Sequence, residues 1–124
     1  MRTLFLYFEK ALEILQKSLP SNRPHVASSY NNIASVYHNM REYSKALSFY
    51  EKALEIFEKT LPPNHPSLAT SYNNIGAVYY NMGQYSKALS YMERAFDIGQ
   101  RSLPPNHPHI ENGRENIRIV KEKL

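Results

Sequence analysis

The chain repeats itself every 42 residues, and that period restricts it to architectures in which one small unit stacks on the next. Between residues 7–48 and 49–90, 27 of 42 positions are identical. Glu9-Lys10-Ala11-Leu12-Glu13-Ile14 recurs as Glu51-Lys52-Ala53-Leu54-Glu55-Ile56, and Tyr30-Asn31-Asn32-Ile33 as Tyr72-Asn73-Asn74-Ile75. A third copy starts at Tyr91, holds through Leu103-Pro104-Pro105-Asn106-His107-Pro108, and then drifts toward charge. A unit this short cannot bury its apolar face alone, so each copy must be covered by its neighbours.

Each copy reads as two helices. Prolines at 20, 24, 62, 63, 66, 104, 105 and 108 fall at equivalent points and interrupt the helical pattern there. Pro24, Pro66 and Pro108 suit the first turn of a helix, where a missing N–H costs nothing. From Pro66, the residues Tyr72, Ile75, Gly76, Tyr79 and Met82 share one helical face, and Gly83 supplies a stop. In the second helix of the preceding copy, Tyr43, Ala46, Leu47, Tyr50, Ala53, Leu54, Phe57 and Leu61 form a continuous apolar stripe. Glu13→Lys17, Glu55→Lys59 and Asp97→Arg101 place an acid four residues before a base on the outer face, the favourable order along a helix. No segment sustains strand alternation. Six helices are predicted, over roughly 3–19, 24–40, 43–60, 66–82, 85–102 and 108–123.

Tyr72-x-x-Ile75-Gly76-x-x-Tyr79, followed by Gly83, Tyr85, Ala88, Met92 and Ala95, resembles the tetratricopeptide repeat, with Tyr in place of its Trp. Tyr30, Ile33, Ala34, Tyr37, Tyr43, Ala46, Tyr50 and Ala53 repeat the pattern one copy earlier. The 42-residue period, Leu-Pro-Pro-Asn-His-Pro between units and Asn-Asn in the first helix are similar to the repeats of kinesin light chain. The resemblance implies an all-α, right-handed helical-repeat solenoid of about six antiparallel helices, serving as a protein–protein interaction scaffold. Its expected organisation is a single array over 1–124: an orphan second helix at 3–19, repeats at 24–60 and 66–102, and a capping helix at 108–124. Arg41 stands where the family carries Gly, at a turn that favours positive φ. The last helix turns polar, with Arg114, Lys121 and Glu122 where the previous copy has Tyr72, Tyr79 and Tyr80, as a solenoid cap requires. A natural C-terminus is therefore expected, and an N-terminus that is truncated or covered by another chain.

Composition excludes several classes. The 124 residues contain no cysteine, which removes disulfide scaffolds, thiol catalysis and Cys-ligated zinc. A net charge of +4, with no block of like charge, argues against nucleic acid as partner. The longest apolar run, Leu4–Phe8, is far short of a membrane span, and Glu9 and Lys10 end it too early for a signal peptide. A cytoplasmic protein is the simplest class. The histidines lack converging ligands, the serines lack a His/Asp partner, and the four glycines form no phosphate loop, so neither enzyme nor cofactor is expected.

The face of each first helix turned away from the apolar stripe carries the candidate binding residues. They are Asn31, Asn32, Ser35, His38 and Asn39 in one copy, Asn73, Asn74, Ala77, Tyr80 and Asn81 in the next, and Asn116 in the third. Asparagine is a poor helix former that offers both a donor and an acceptor, which suits the backbone of an extended peptide. In the resembled family the first helices line the concave groove, so these residues are expected to hold a protein or peptide ligand, with one amide of each Asn-Asn pair packing between helices. At the other end, Leu4, Phe5 and Phe8 lack the first helix that would normally cover them, and either self-association through them at high concentration or fraying of that helix is expected.

Overall fold

The computed structural model describes residues 24–124, preceded by Thr3, Leu6, Tyr7, Glu9, Lys10 and Ile14, all six of which are helical. Leu4, Phe5, Phe8 and most of the expected 3–19 helix lie outside the described residues. Five helices follow in order: α1 (Pro24–Asn39), α2 (Tyr43–Thr60), α3 (Pro66–Asn81), α4 (Tyr85–Ser102) and α5 (Pro108–Lys123). Their ends fall within a residue of the points marked by proline and glycine, and no strand occurs among the described residues. The chain divides into two compact units, Met1–Thr60 and Leu61–Leu124. In the first, α1 packs on α2; in the second, α4 packs on both α3 and α5.

The same aromatic clasp closes each helix pair. In the first unit, Phe49 of α2 lies between Tyr30 and Tyr37, with ring centroids 5.8 and 5.7 Å away. In the second, Tyr91 of α4 lies between Tyr72 and Tyr79, at 6.1 and 5.6 Å. The clamping tyrosines are seven residues apart, two helical turns, so one ring from the partner helix fits the gap between them. Cations roof the rings at matching positions. Lys45 stands 5.3 Å from Tyr37 and Lys52 5.7 Å from Tyr30; Lys87 stands 5.4 Å from Tyr79 and Arg94 4.4 Å from Tyr72. Sequence periodicity placed the four tyrosines correctly but did not single out Phe49 or Tyr91.

Beside the clasp, small residues let the helices close up. Ala46, Ala53 and Ala88 are fully buried. A Cβ on Gly76 would come within 3.0 Å of Met92 Cγ and 3.3 Å of the Ala88 carbonyl, so α3 approaches α4 most closely there. Leu68, Ser71 and Val78 are buried too, so more of the circumference of α3 is covered than a single stripe implies. On α5 the exposed side is laced by charge. Arg114 pairs with Glu111 at 3.1 Å, and Arg118 bridges Glu115 and Glu122, its hydrogen bond holding the Glu115 carboxyl below the usual range.

The α1–α2 and α3–α4 turns are both Schellman motifs. The Arg41 N–H donates to the His38 carbonyl at 3.0 Å and Glu42 N–H to Tyr37 at 2.9 Å; Gly83 and Gln84 do the same to Tyr80 and Tyr79 at 3.0 and 2.9 Å. The motif needs a left-handed residue, and Arg41 (φ 63°) and Gly83 (φ 78°) supply it. Arg41 thus carries a steric cost that Gly83 avoids. Arg41→Gly is expected to raise stability by up to ~1 kcal/mol in a denaturant melt; an unchanged or lower midpoint would show that the arginine side chain contributes more than its backbone costs.

Candidate functional site

The second unit contains a pocket of about 430 Å³ between α3 and α5, with the C-terminal half of α4 contributing its third side. Pro66, Ala69, Thr70, Asn73 and Asn74 come from α3. His109, Ile110, Asn112, Gly113 and Asn116 come from α5, with His107 at its cap. Ala95, Phe96, Gly99 and Ser102 of α4, with Leu103, complete the lining. Four side-chain amides therefore converge over an apolar patch, and none of the described residues that line the pocket is Lys, Arg, Asp or Glu. Arg101, next to the lining residue Ser102 in sequence, pairs with Asp97 at 3.4 Å, and Arg114, next to Gly113, pairs with Glu111 at 3.1 Å and stands 5.9 Å from the Phe96 ring.

Local sequence fixes this geometry. Each first helix of the second unit opens with His-Pro. The His65 and His107 side chains are N-caps, Nδ1 accepting the N–H of Ser67 and of His109 at 3.1 Å, and the following proline needs no partner. An accepting Nδ1 leaves the ring proton of each neutral imidazole on Nε2. The His107 ring also packs edge-on against His109, centroids 4.8 Å apart, at the rim of the pocket. Opposite, the missing side chain of Gly113 lets Phe96 lie against α5, since a Cβ there would stand 2.9 Å from Phe96 Cδ2.

The sequence-predicted residues separate into groups. Asn73, Asn74 and Asn116 come together in the pocket. Ala77, Tyr80 and Asn81, one to two turns further along α3, do not line it. Tyr80 is not on an open face: its ring lies edge-on to Tyr85 at 5.3 Å and packs against Ala88, Met92 and Val120. His38 is likewise half-buried against Tyr43 at 5.7 Å, and burial lowers its pKa. The helical wheel missed this because the tight turn folds the first ring of the next helix back over both residues. In the first unit, Asn32, Ser35 and Asn39 are exposed. Asn31 is half-buried, and its Oδ1 is shielded from solvent with no hydrogen-bond partner among the described residues. Ser35 bonds the hydroxyl of Tyr50, whose pKa burial raises. Sequence reasoning missed Phe96, Gly99, His107 and Asn112. The available signal for Gly99 was its own repeat: the equivalent residue one copy earlier is Phe57.

Among the described residues, no group of three or more His, Cys, Asp or Glu could hold a metal ion, and no helix is long and apolar enough to cross a membrane. Paired helices repeated at a fixed period, with an amide-lined hollow between successive first helices, define a helical-repeat scaffold. The tetratricopeptide repeat family model matches residues 7–59 and 25–101, and the chain belongs to that family. Among solved structures it is similar to BtubC (BKLC) from P. vanneervenii, with 26% identity and a TM-score of 0.88 over 96% of this chain and 48% of that one. It is also similar to a Podosopora anserina protein described as a kinesin light chain with nearly identical TPR-like repeats (23% identity, TM-score 0.83, 98% of this chain and 57% of that one). The N-terminal domain of stress-induced protein-1 from C. elegans shares the fold more distantly, at 24% identity and a TM-score of 0.65 over 95% of this chain and 76% of that one. The chain thus spans about half the length of the first two. No curated protein matches it. The general use of the tetratricopeptide fold is as a scaffold for protein–protein interaction.

The caps that set the rim of the pocket are open to test. His107→Ala is expected to cost about 1 kcal/mol in a denaturant melt, whereas His107→Asn, which keeps an acceptor at the cap, should retain most of it. Equal losses in the two variants would mean that the imidazole acts by packing on His109.

Proposed function

We propose that this chain is a protein-interaction module whose second unit holds an extended peptide segment across α3 and α5, in the manner of a cargo or partner adaptor. The convergence of Asn73, Asn74, Asn112 and Asn116 on one uncharged pocket carries the reading. Each amide presents a donor and an acceptor, the complement of a peptide unit, and each can bond the backbone whatever side chains the ligand bears. α3 and α5 face each other across the pocket, and an extended chain rises about 3.3 Å per residue, so a short ligand segment reaches the amides of both helices. The same face of α1, with Asn32, Ser35 and Asn39 exposed and Asn31 beside them, is read as a second such surface. Tyr80, His38, Ala77 and Asn81 are assigned to packing or to the helix ends. A ligand bound this way is a cytoplasmic protein segment.

Asn74→Ala is expected to weaken a peptide selected from a display library some five- to tenfold, the loss of about one hydrogen bond, while the melting curve stays where it was. A loss of more than ~2 kcal/mol of stability with unchanged affinity would instead assign Asn74 to helix packing and leave Asn73 as the ligand-reading amide.

A second reading, self-association through the N-terminal helix, is favoured by one observation. Tyr7 and Ile14 are 73% and 67% exposed, whereas Ile56 and Ile98, equivalent to Ile14, are each 8% exposed, and Phe49 and Tyr91, equivalent to Tyr7, are held in clasps. Leu4, Phe5 and Phe8, which the sequence also suggests for this role, lie outside the described residues. The chain should then sediment as a concentration-dependent oligomer that Tyr7→Glu returns to monomer. A wild-type monomer at every accessible concentration would remove this reading.

A further inference from the structure

The pocket exists because one repeat lacks a side chain that the other keeps. Phe57 and Gly99 are 42 residues apart and hold the same place in their helices; both are buried, but Phe57 fills its place with a ring whereas Gly99 leaves a backbone surface that lines the pocket. Three residues earlier the exchange runs the other way, Leu54 becoming Phe96. Between the two copies, Leu and Phe have been replaced by Phe and Gly, so the second unit is short by one leucine side chain at this level of α4. The space has not closed over. A Cβ on Gly99 would meet a single heavy atom within 4 Å, Ile110 Cδ1, at 3.6 Å, an ordinary contact. Gly113, where the previous copy has Ser71, trims the opposite wall and draws Phe96 toward α5 rather than into the gap.

Glycine inside a helix is a poor helix former, so Gly99 does not serve the stability of α4. What it provides is an apolar recess, with Ala95, Phe96 and Ile110 around it and amides at its mouth. Ligand sites are built in this way, from a mostly apolar cavity with a few placed polar groups.

We propose that the recess at Gly99 receives one large apolar side chain, Leu, Ile, Met or Phe, from an extended peptide whose flanking residues are uncharged. It fills the level that Phe57 fills from within the chain in the first unit. Among the described residues the lining carries no Lys, Arg, Asp or Glu, which favours uncharged flanks, because an acidic or basic neighbour drawn into the recess would lose hydration without gaining a partner. The proposal rests on the reading of the second unit as a peptide-holding module.

The test uses a random dodecapeptide display library, selected in parallel against the full chain and against Gly99→Phe, which restores the residue of the first copy. Peptides enriched by the wild type should share one large apolar residue. Replacing that residue by Ala, or using Gly99→Phe as the bait, should weaken binding by at least about tenfold. High salt should change the affinity by less than about twofold. Gly99→Phe should melt at or above the wild-type temperature, since it fills a void; where it does not fold, Gly99→Leu, which carries the residue found at position 15, serves instead. Equal binding by wild type and the filled variant overturns the anchor while leaving the peptide-holding reading intact. Enrichment of acidic peptides whose binding collapses in salt overturns it as well. Failure of any peptide to enrich on the wild type refutes the peptide-holding reading, and the anchor with it.

Discussion

Everything in this molecule depends on a ring held between two others. Phe49 between Tyr30 and Tyr37, and Tyr91 between Tyr72 and Tyr79, set the register of each helix pair, because a one-residue slip of either helix would rotate the ring out of its slot. The clasp also settles which faces remain free. With the tyrosines turned inward and Lys or Arg roofing them, the asparagines that neighbour the tyrosines in sequence are directed to another side of the same helix. Pocket-lining amides and packing residues are interleaved along α3, and the clasp separates them.

How far the sequence could be read follows from the range of the interactions involved. Helix ends were legible because their causes are local: Pro at the first turn, and a left-handed residue at the stop, including the departure at Arg41. The four clamping tyrosines were legible from 3.6-residue periodicity. The ring they hold was not, because Phe49 and Tyr91 are identified only by what lies across from them on another helix. The site was half legible. Asn73, Asn74 and Asn116 follow from a helical wheel, but Tyr80 and His38 were assigned to an open face because a wheel has no turn, and the turn brings Tyr85 and Tyr43 onto them. The histidines of Leu-Pro-Pro-Asn-His-Pro were read only as lacking converging ligands, without the backbone bond that makes them caps.

The two copies also show how a repeat protein acquires a hollow without redesigning its fold. Clasp, turns and caps are kept from one unit to the next, while the level of α4 three residues beyond Phe96 is left empty. Because each unit is stabilised mainly by itself and its neighbours, such a change is tolerated locally.

The near-identity of the clasps bears on how the chain finds its fold. The rings of α1 would accept the Tyr91 of α4 almost as well as Phe49 of α2, so side-chain chemistry alone barely distinguishes right from wrong pairing. Chain length does. Only three residues, 40–42, join α1 to α2, whereas 45 residues, 40–84, separate α1 from α4. Closing the longer loop costs roughly 2 kcal/mol more in chain entropy. Correct assembly is thus a contest decided by proximity rather than by recognition, and the short Schellman turns arbitrate it. Between molecules that proximity advantage fades as concentration rises, and exchange of α2 between copies becomes the characteristic error of a chain built from such similar parts.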